Sequence, residues 1–558
     1  MLPDFDLDRI GDPYARTVTI GLLNVVEALR VEVRTLGEEN RRLRDENQRL
    51  QGEQGQPTTL PKVARSRSVG DHSSEQERRG PATGRERGKG GKQSRLTISR
   101  EQVLPVDRAT LPKDAVRKGF ADVVVQDVVF CADTIRFRKE QWYARSTRMT
   151  YLAALPAGYE GQFGPGVKSL ALSLYYGGQM SEAKIGEVFE DSGVVISAGQ
   201  LSNLLIKGQE QWHAEAEAIY RAGLASSPWQ HFDATPTRVN GQNEHCHVIG
   251  NPLYTVYQTT PGKDRLSVLD VLRNRQARTF RFNAEALGYL DQVGLAKWIR
   301  EGLAVALQAE ALAERDVDEG ELDVALTAHV PGLGPQQRKW ILDATAVAAY
   351  HAQLEFPVVR VLICDDAPQF TWLTQQLSLC WVHDGRHYKK LEPSVPAFRT
   401  LLQDFRRDYW DYYRQLLGYR QHPTPAERQR LAARFNELFR TSTGYAALDD
   451  RIAKTRAKRD CLLLVLEHPE LPLHNNPAEL AARARVRKRD VSFGPRTDDG
   501  IRAWDTFATL AATATKLGVS LYHYFQDRLN GAPHLPSLAS LITLRAPDLH
   551  LADSWNSS

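Results

Sequence analysis

The sequence predicts a multidomain α/β protein in which a mixed sheet is interrupted by helical insertions. Three observations predict it. Strand-like runs at 229–236, 245–249 and 254–259 are separated by the turn residues Asn240-Gly241 and Asn251-Pro252, which reads as a three-stranded meander. A helical stretch at 264–272 follows, and two further apolar runs, at 358–363 and 377–382, supply a fourth and fifth strand. Between and beyond these strands, 273–350 is rich in Ala, Leu and Glu, and 397–468 in Arg, Tyr and Leu. Both read as helical insertions into a domain spanning 226–530.

The chain before that domain divides by composition. Residues 1–53 contain Leu22, Leu29, Leu36, Leu43 and Leu50 spaced seven apart, with Val26, Val33, Asn40 and Asn47 three residues before the last four. This is a heptad seam with Leu at d and Val or Asn at a, and Asn at a favours a parallel dimer. Gly37 weakens the helix by roughly 1 kcal/mol. An amphipathic helix packed on its own chain would also fit, but the segment after Leu36 is nearly all charged outside the seam. A self-associating coiled coil is therefore expected, giving a homodimer or higher homo-oligomer. Residues 54–100 hold almost no apolar side chains and read as a disordered linker with the basic run Arg85, Arg87, Lys89, Lys92 and Arg95. Residues 101–150 read as a small β-rich module, with strands expected at 121–130 and 134–144. Cys131 is its only cysteine, so a zinc site built on cysteine pairs is not expected there. In 151–225 two short helices, capped by Ser181 and Ser197 and joined at Ser192-Gly193, resemble a helix-turn-helix DNA-binding region. Residues 531–558 read as a C-terminal tail.

The totals exclude several classes. With 42% hydrophobic and 25% charged residues the chain is globular rather than disordered. No apolar run reaches transmembrane length and the acidic start does not read as a signal peptide, so no membrane partner is expected and a cytoplasmic location is. Five cysteines without paired spacing argue for a reducing compartment. The net charge of +4 does not by itself imply nucleic-acid binding; the clustering of the positive charge does more.

The chemistry-bearing residues sit at element ends. Asp233 lies on the first strand. Asp365 and Asp366 follow the fourth, and a basic cluster of His383, Arg386, His387, Lys389 and Lys390 follows the fifth. Neighbours on a strand point to opposite faces, so only one of the two aspartates can face Asp233. Strand parity alone leaves open which of the two it is, and an aspartate is equally at home in the turn before Pro368. Glu479 falls three residues after Asn476, and with Pro477 between them this makes a capping box that would explain the glutamate alone. Arg483 and Arg487 follow Glu479 at four-residue spacing, with Lys488 and Arg489 next, either as a solvated face or as a stripe for DNA phosphates. Carboxylates beside cations suit metal-assisted phosphate chemistry. Cys380, His383 and His387 have a spacing that invites zinc, but a fourth ligand is missing, and a structural role for His383 near the site is the reading taken.

These residues together resemble the IS66 family of bacterial transposases. The resemblance is carried by Asp233-Ala234-Thr235-Pro236-Thr237-Arg238-Val239 and by Cys380-Trp381-Val382-His383. It is carried most specifically by Asn475-Asn476-Pro477-Ala478-Glu479 with Arg483, Arg487-Lys488-Arg489, Phe493 and Gly500, followed by Thr515-Lys516-Leu517-Gly518. Ala234 and Leu480 stand where that family usually carries Glu and Arg. The resemblance implies a ribonuclease H-like catalytic domain at 226–530 with an Asp-Asp-Glu triad of Asp233, Asp365 and Glu479 holding two Mg²⁺ (or Mn²⁺) ions. It also implies DNA contacts from Arg386, Lys389, Lys390, Arg483, Arg487, Lys488 and Arg489. The implied activity is metal-dependent cleavage at insertion-sequence ends, then attack of the freed 3′-hydroxyl on target DNA. Partners would be transposon-end and target DNA, with helper proteins of the same element, and the resemblance implies a bacterial, nucleoid-associated location. The alternatives are a DNA-binding regulator, or a ribonuclease H-like nuclease without strand transfer.

Overall fold

A computed structural model gives the fold and describes residues 9–50, 98–107, 111–112, 115, 117–309, 312–531 and 533–555. Apart from 98–100, the linker expected at 54–100 lies outside the described residues. The chain is mixed α/β. Strands β1 (Gln141–Ala144) and β2 (Met149–Leu152) form an antiparallel hairpin. Strands β3 (Trp229–Val239), β4 (Gln242–Asn251) and β5 (Tyr254–Thr260) form the expected meander. Two-residue strands β6 (Phe280–Arg281) and β7 (Asp316–Val317) pair within the first helical insertion. Strands β8 (Val361–Cys364) and β9 (Gln376–Leu379) complete a five-stranded sheet of order β5-β4-β3-β8-β9. Only β4 runs against its neighbours; β3, β8 and β9 are parallel. The β3–β4 turn uses Asn240 and Gly241 at φ 46° and 81°, the left-handed pair that two-residue hairpins require. All of Val361, Leu362, Ile363 and Cys364 are buried, as a strand enclosed between parallel neighbours demands.

The exposed edge of the meander is closed by a helix. Asp505, Thr509 and Thr513 lie four apart on the helix Asp498–Lys516. Their side chains accept hydrogen bonds from the backbone N–H groups of Thr259, Tyr257 and Thr255, at 2.7, 3.0 and 3.2 Å. Four helical residues rise about 6 Å and two strand residues about 6.6 Å, so the two periods nearly match. A row of strand donors that would otherwise be open to pairing is thereby satisfied. Arg485, on the helix Asn476–Ser492, pairs with Asp505 at 3.2 Å and stacks over Trp504, tying both helices to β5.

Four expectations need correction. No strand forms at 121–130 or 134–140; Val123, Val125, Val128 and Val129 stay exposed, because no described element of the chain covers them. β2 also runs past the boundary set at 150. The fifth strand stops at Leu379 instead of reaching 382, because Cys380 caps the helix Trp381–Lys389 by accepting the His383 N–H. The C-terminal segment is more than a tail: its helix Leu538–Arg545 buries Leu538 and Ile542, and Leu551 O accepts the Trp229 indole N–H at 2.8 Å.

The N-terminal helix Pro13–Leu50 divides its faces. Leu23 is buried, Asn24 bonds Gly444 O and the Ala446 N–H, and the buried Glu27 accepts from the Ser394 and Val395 N–H groups. These contacts dock it on the helices Pro396–Gln421 and Ala446–Ala457. Leu22, Leu29, Leu36 and Leu43 remain exposed along it. The pair expected to form a helix-turn-helix is Glu182–Asp191 and Ala198–Ile206, the second opened by a Ser197/Gln200 capping box. Among the described residues no helix is long and apolar enough to cross a membrane.

Replacing the buried Thr509 by the near-isosteric Val removes the acceptor for the Tyr257 N–H. Folding free energy should fall by about 1–3 kcal/mol, the cost of a buried orphan donor. Chemical denaturation of the variant beside the parent measures it.

Candidate active site

Asp233 and Asp365 are placed side by side by strand register. The parallel β3–β8 ladder pairs Trp229 with Val361 and His231 with Ile363. Carried two residues further, that register sets Asp233 beside Asp365 on the same face, and it sends Asp366 to the opposite one. Asp365 accepts the Ala367 N–H at 3.2 Å, while Asp366 pairs with Lys458. Glu479 enters from the first turn of the helix Asn476–Ser492. The three carboxylates, with His383, Arg386 and Arg483, line a cavity of about 420 Å³.

Asn475 holds these pieces together. It is buried; its Oδ1 accepts from His231 Nδ1 at 3.0 Å, and its Nδ2 donates to Phe232 O at 2.6 Å. Burial drives the His231 pKa down to about 3, so the ring is neutral and carries its proton on Nδ1. The Asn475 N–H donates to Cys380 Sγ, and the Cys380 N–H donates to Cys364 O at the end of β8. The capping box expected around Glu479 does not form: the helix has no side-chain cap, and Glu479 turns instead to Arg386 at 2.8 Å. The helix starts one residue earlier than the box requires, with Asn475 as N-cap and Asn476 as its first residue, so Glu479 lies one position too far along to cap it.

The cavity carries unbalanced negative charge. Burial raises the Asp233 pKa to about 6; the Ala234 N–H opposes the shift, and the charges of Glu479 and Asp365 add to it. Arg386 is the cation seated among them. Oxygen donors of this kind, ionised at neutral pH and short of positive charge, fit a hard divalent cation.

The basic residues separate into two groups. Arg483 and Arg487 are exposed along one helical stripe, Arg483 at the cavity mouth. Lys389 and Lys390 are exposed at the end of the Trp381–Lys389 helix, outside the cavity lining. Arg489 is half-buried and donates to Pro236 O. Lys488 does not join the stripe. It is buried, its Nζ donates to Met180 O at 2.7 Å and lies 3.4 Å from the Tyr175 ring centroid, and burial lowers its pKa to about 7. Its partners come from a distant segment, so its neighbours in sequence carry no sign of this. Sequence reasoning also passed over His231 and Lys458, whose roles depend on long-range contacts.

The uncharacterized protein y4jO of Sinorhizobium fredii (strain NBRC 101917 / NGR234) is 31% identical over 337 residues, which cover 59% of this chain and 100% of that protein. The chain belongs to the family of y4jO. No protein-family model matches it.

Replacing Asn475 by Ala should cost about 1–3 kcal/mol for each buried partner left unpaired, Phe232 O and His231 Nδ1. The melting temperature reads the loss, and a circular dichroism spectrum like the parent's shows that the fold persists.

Proposed function

We propose that the chain is a DNA transposase of the IS66 type, with a ribonuclease H-like core, that cleaves phosphodiesters at element ends and joins the freed end to target DNA. The observation that carries this reading is the convergence of Asp233, Asp365 and Glu479 from two adjacent parallel strands and a facing helix into one open cavity. The sheet order, with only the second strand reversed, supports the core assignment. Bound Mg²⁺ or Mn²⁺ would activate the attacking oxygen and stabilise the leaving one.

The chain's own groups have separate tasks. Asp233 is central, between Asp365 on the neighbouring strand and Glu479 on the helix. Glu479 would hold a cation in place of its ion pair with Arg386. Arg386, at the cavity wall, would then have its guanidinium available to a phosphate oxygen. Arg483 and Arg487 lie outward along the same stripe and track the backbone of the strand being cut. Hydrolysis frees a 3′-hydroxyl, which then attacks a target phosphodiester and expels the target strand's own 3′-oxygen as a hydroxyl; no covalent protein–DNA link forms. The exposed Leu seam of the N-terminal helix is the surface through which two copies associate, each helix remaining docked on its own body by Glu27 and Asn24.

Two tests follow. Asp365→Asn removes a carboxylate charge without changing shape, so Mg²⁺-dependent cleavage of end DNA should fall roughly a hundredfold or more, a barrier increase of about 2.7 kcal/mol. Full activity in the folded variant refutes the triad, and cleavage without joining to a plasmid favours the nuclease alternative. For DNA contacts, Arg487→Gln should weaken binding across sequences and lower the salt slope by about 1, while Lys488→Met leaves both unchanged. Fluorescence anisotropy at several salt concentrations separates them.

A further inference from the structure

The helix Trp381–Lys389 carries a second group of metal-competent side chains beside the carboxylate cavity. His383 and His387 are four residues apart and so share a helix face. Their ring centroids are 5.3 Å apart. Asp366, turned away from Asp233 by strand parity, reaches the same point from the end of β8. One ligand atom from each of Asp366, His383 and His387 lies within 4.8 Å of the other two. A second observation points the same way: Nε2 of His387 is buried and has no hydrogen-bond partner among the described residues. A buried ring nitrogen without a partner is costly unless something occupies its lone pair.

We propose that Asp366, His383 and His387 bind one zinc-class divalent ion, with water in the remaining position. Two imidazoles and a carboxylate suit zinc, whereas the all-oxygen set of Asp233, Asp365 and Glu479 suits magnesium. The third ligand is Asp366, not Cys380. The Cys380 sulfur is buried and already accepts the backbone N–H groups of His383 and Asn475. Lys458 neutralises Asp366 in the absence of the ion. Its side chain is 24% exposed and ends a flexible stem, so it turns to solvent when the ion takes its place. The bound ion ties the end of β8 to the helix that carries Arg386, and so braces the turn directly after Asp365. This inference does not depend on the proposed activity.

The test uses the full-length protein, freed of metal by a chelator and titrated with Co²⁺, whose visible absorption reports ligand type. One equivalent should bind with the ligand-field bands of a nitrogen and oxygen site, without sulfur-to-cobalt charge transfer. Added Zn²⁺ should displace it and excess Mg²⁺ should not. His387→Ala, and separately Asp366→Asn, should weaken Co²⁺ binding at least roughly tenfold, a loss of about 1.4 kcal/mol. Lys458→Met should tighten it. Asp233→Asn and Glu479→Gln should leave the bands in place even where they abolish cleavage, so failure of this site and failure of the triad are read separately. A thiolate band, displacement by Mg²⁺, or unchanged affinity in both His387→Ala and Asp366→Asn overturns the proposal. Circular dichroism of each variant establishes that lost binding is not lost folding.

Discussion

The arrangement of the cavity depends on one buried amide. Asn475 donates to Phe232 O and accepts from His231, so both ends of its side chain are tied to the two residues preceding Asp233 on β3. Its backbone N–H reaches Cys380, whose own N–H reaches the last residue of β8. The elements that bear Asp233, Asp365, Arg386 and Glu479 therefore meet within one hydrogen-bonded chain. Each of these polar groups is buried, and stranding any of them costs on the scale of 1–3 kcal/mol, about as much as a damaging core substitution. Such a network has few tolerable alternatives, which is why it can hold three like charges near one another.

That charge is the second constraint. Asp233 has a pKa of about 6 in the fold against 3.8 as the ordinary value, raised first by burial. The sign follows from linkage. The folded state favours the protonated carboxyl, so Asp233's contribution is fully present below its unfolded pKa and is lost as pH rises through about 6. At neutral pH the fold bears an ionised, partly desolvated aspartate next to two more carboxylates. Arg386 offsets Glu479, and Lys458 offsets Asp366, but Asp233 has no cation of its own among its hydrogen-bond partners. Local instability of this kind is what a site retains when a cation from outside completes it.

Much of the sheet was legible because its signals are local. Asn240-Gly241 specifies its hairpin through backbone conformation, the β8 run is apolar throughout because it is enclosed on both sides, and Asp264, Ser181 and Ser197 cap the helices that follow them. What was not legible depends on partners far along the chain. Trp381 and Val382 continue an apolar run and look like strand, yet Cys380 caps there and Asp384 is drawn to Arg451 and Thr455 of a later helix. Lys488 lies in a basic run, but Met180 and Tyr175 take it out of solvent. Glu479 has capping-box spacing from Asn476, but the helix starts one residue earlier, with Asn475 as its N-cap, so Glu479 falls one position past the box and pairs with Arg386. The valines at 123–129 have strand propensity and no surface to cover, so propensity alone does not make a sheet.

The pair Asp365 and Asp366 shows how a single geometric rule produces two chemically different environments. Successive residues leaving a strand point to opposite sides. On one side the in-register neighbour is Asp233, with Glu479 facing it, and the surroundings are carboxylates. On the other side lie His383 and His387 on a helix that begins as soon as β9 ends, together with Lys458. The helix Trp381–Lys389 passes between the two: Arg386 and His383 line the first, and His383, four residues from His387, also reaches the second. A one-residue slip of β8 against β3 would exchange the two aspartates and put each in the other's surroundings. The three-residue ladder Trp229–Val361, Gln230–Leu362 and His231–Ile363 is therefore more than sheet scaffolding, because its register decides which carboxylate faces which chemistry.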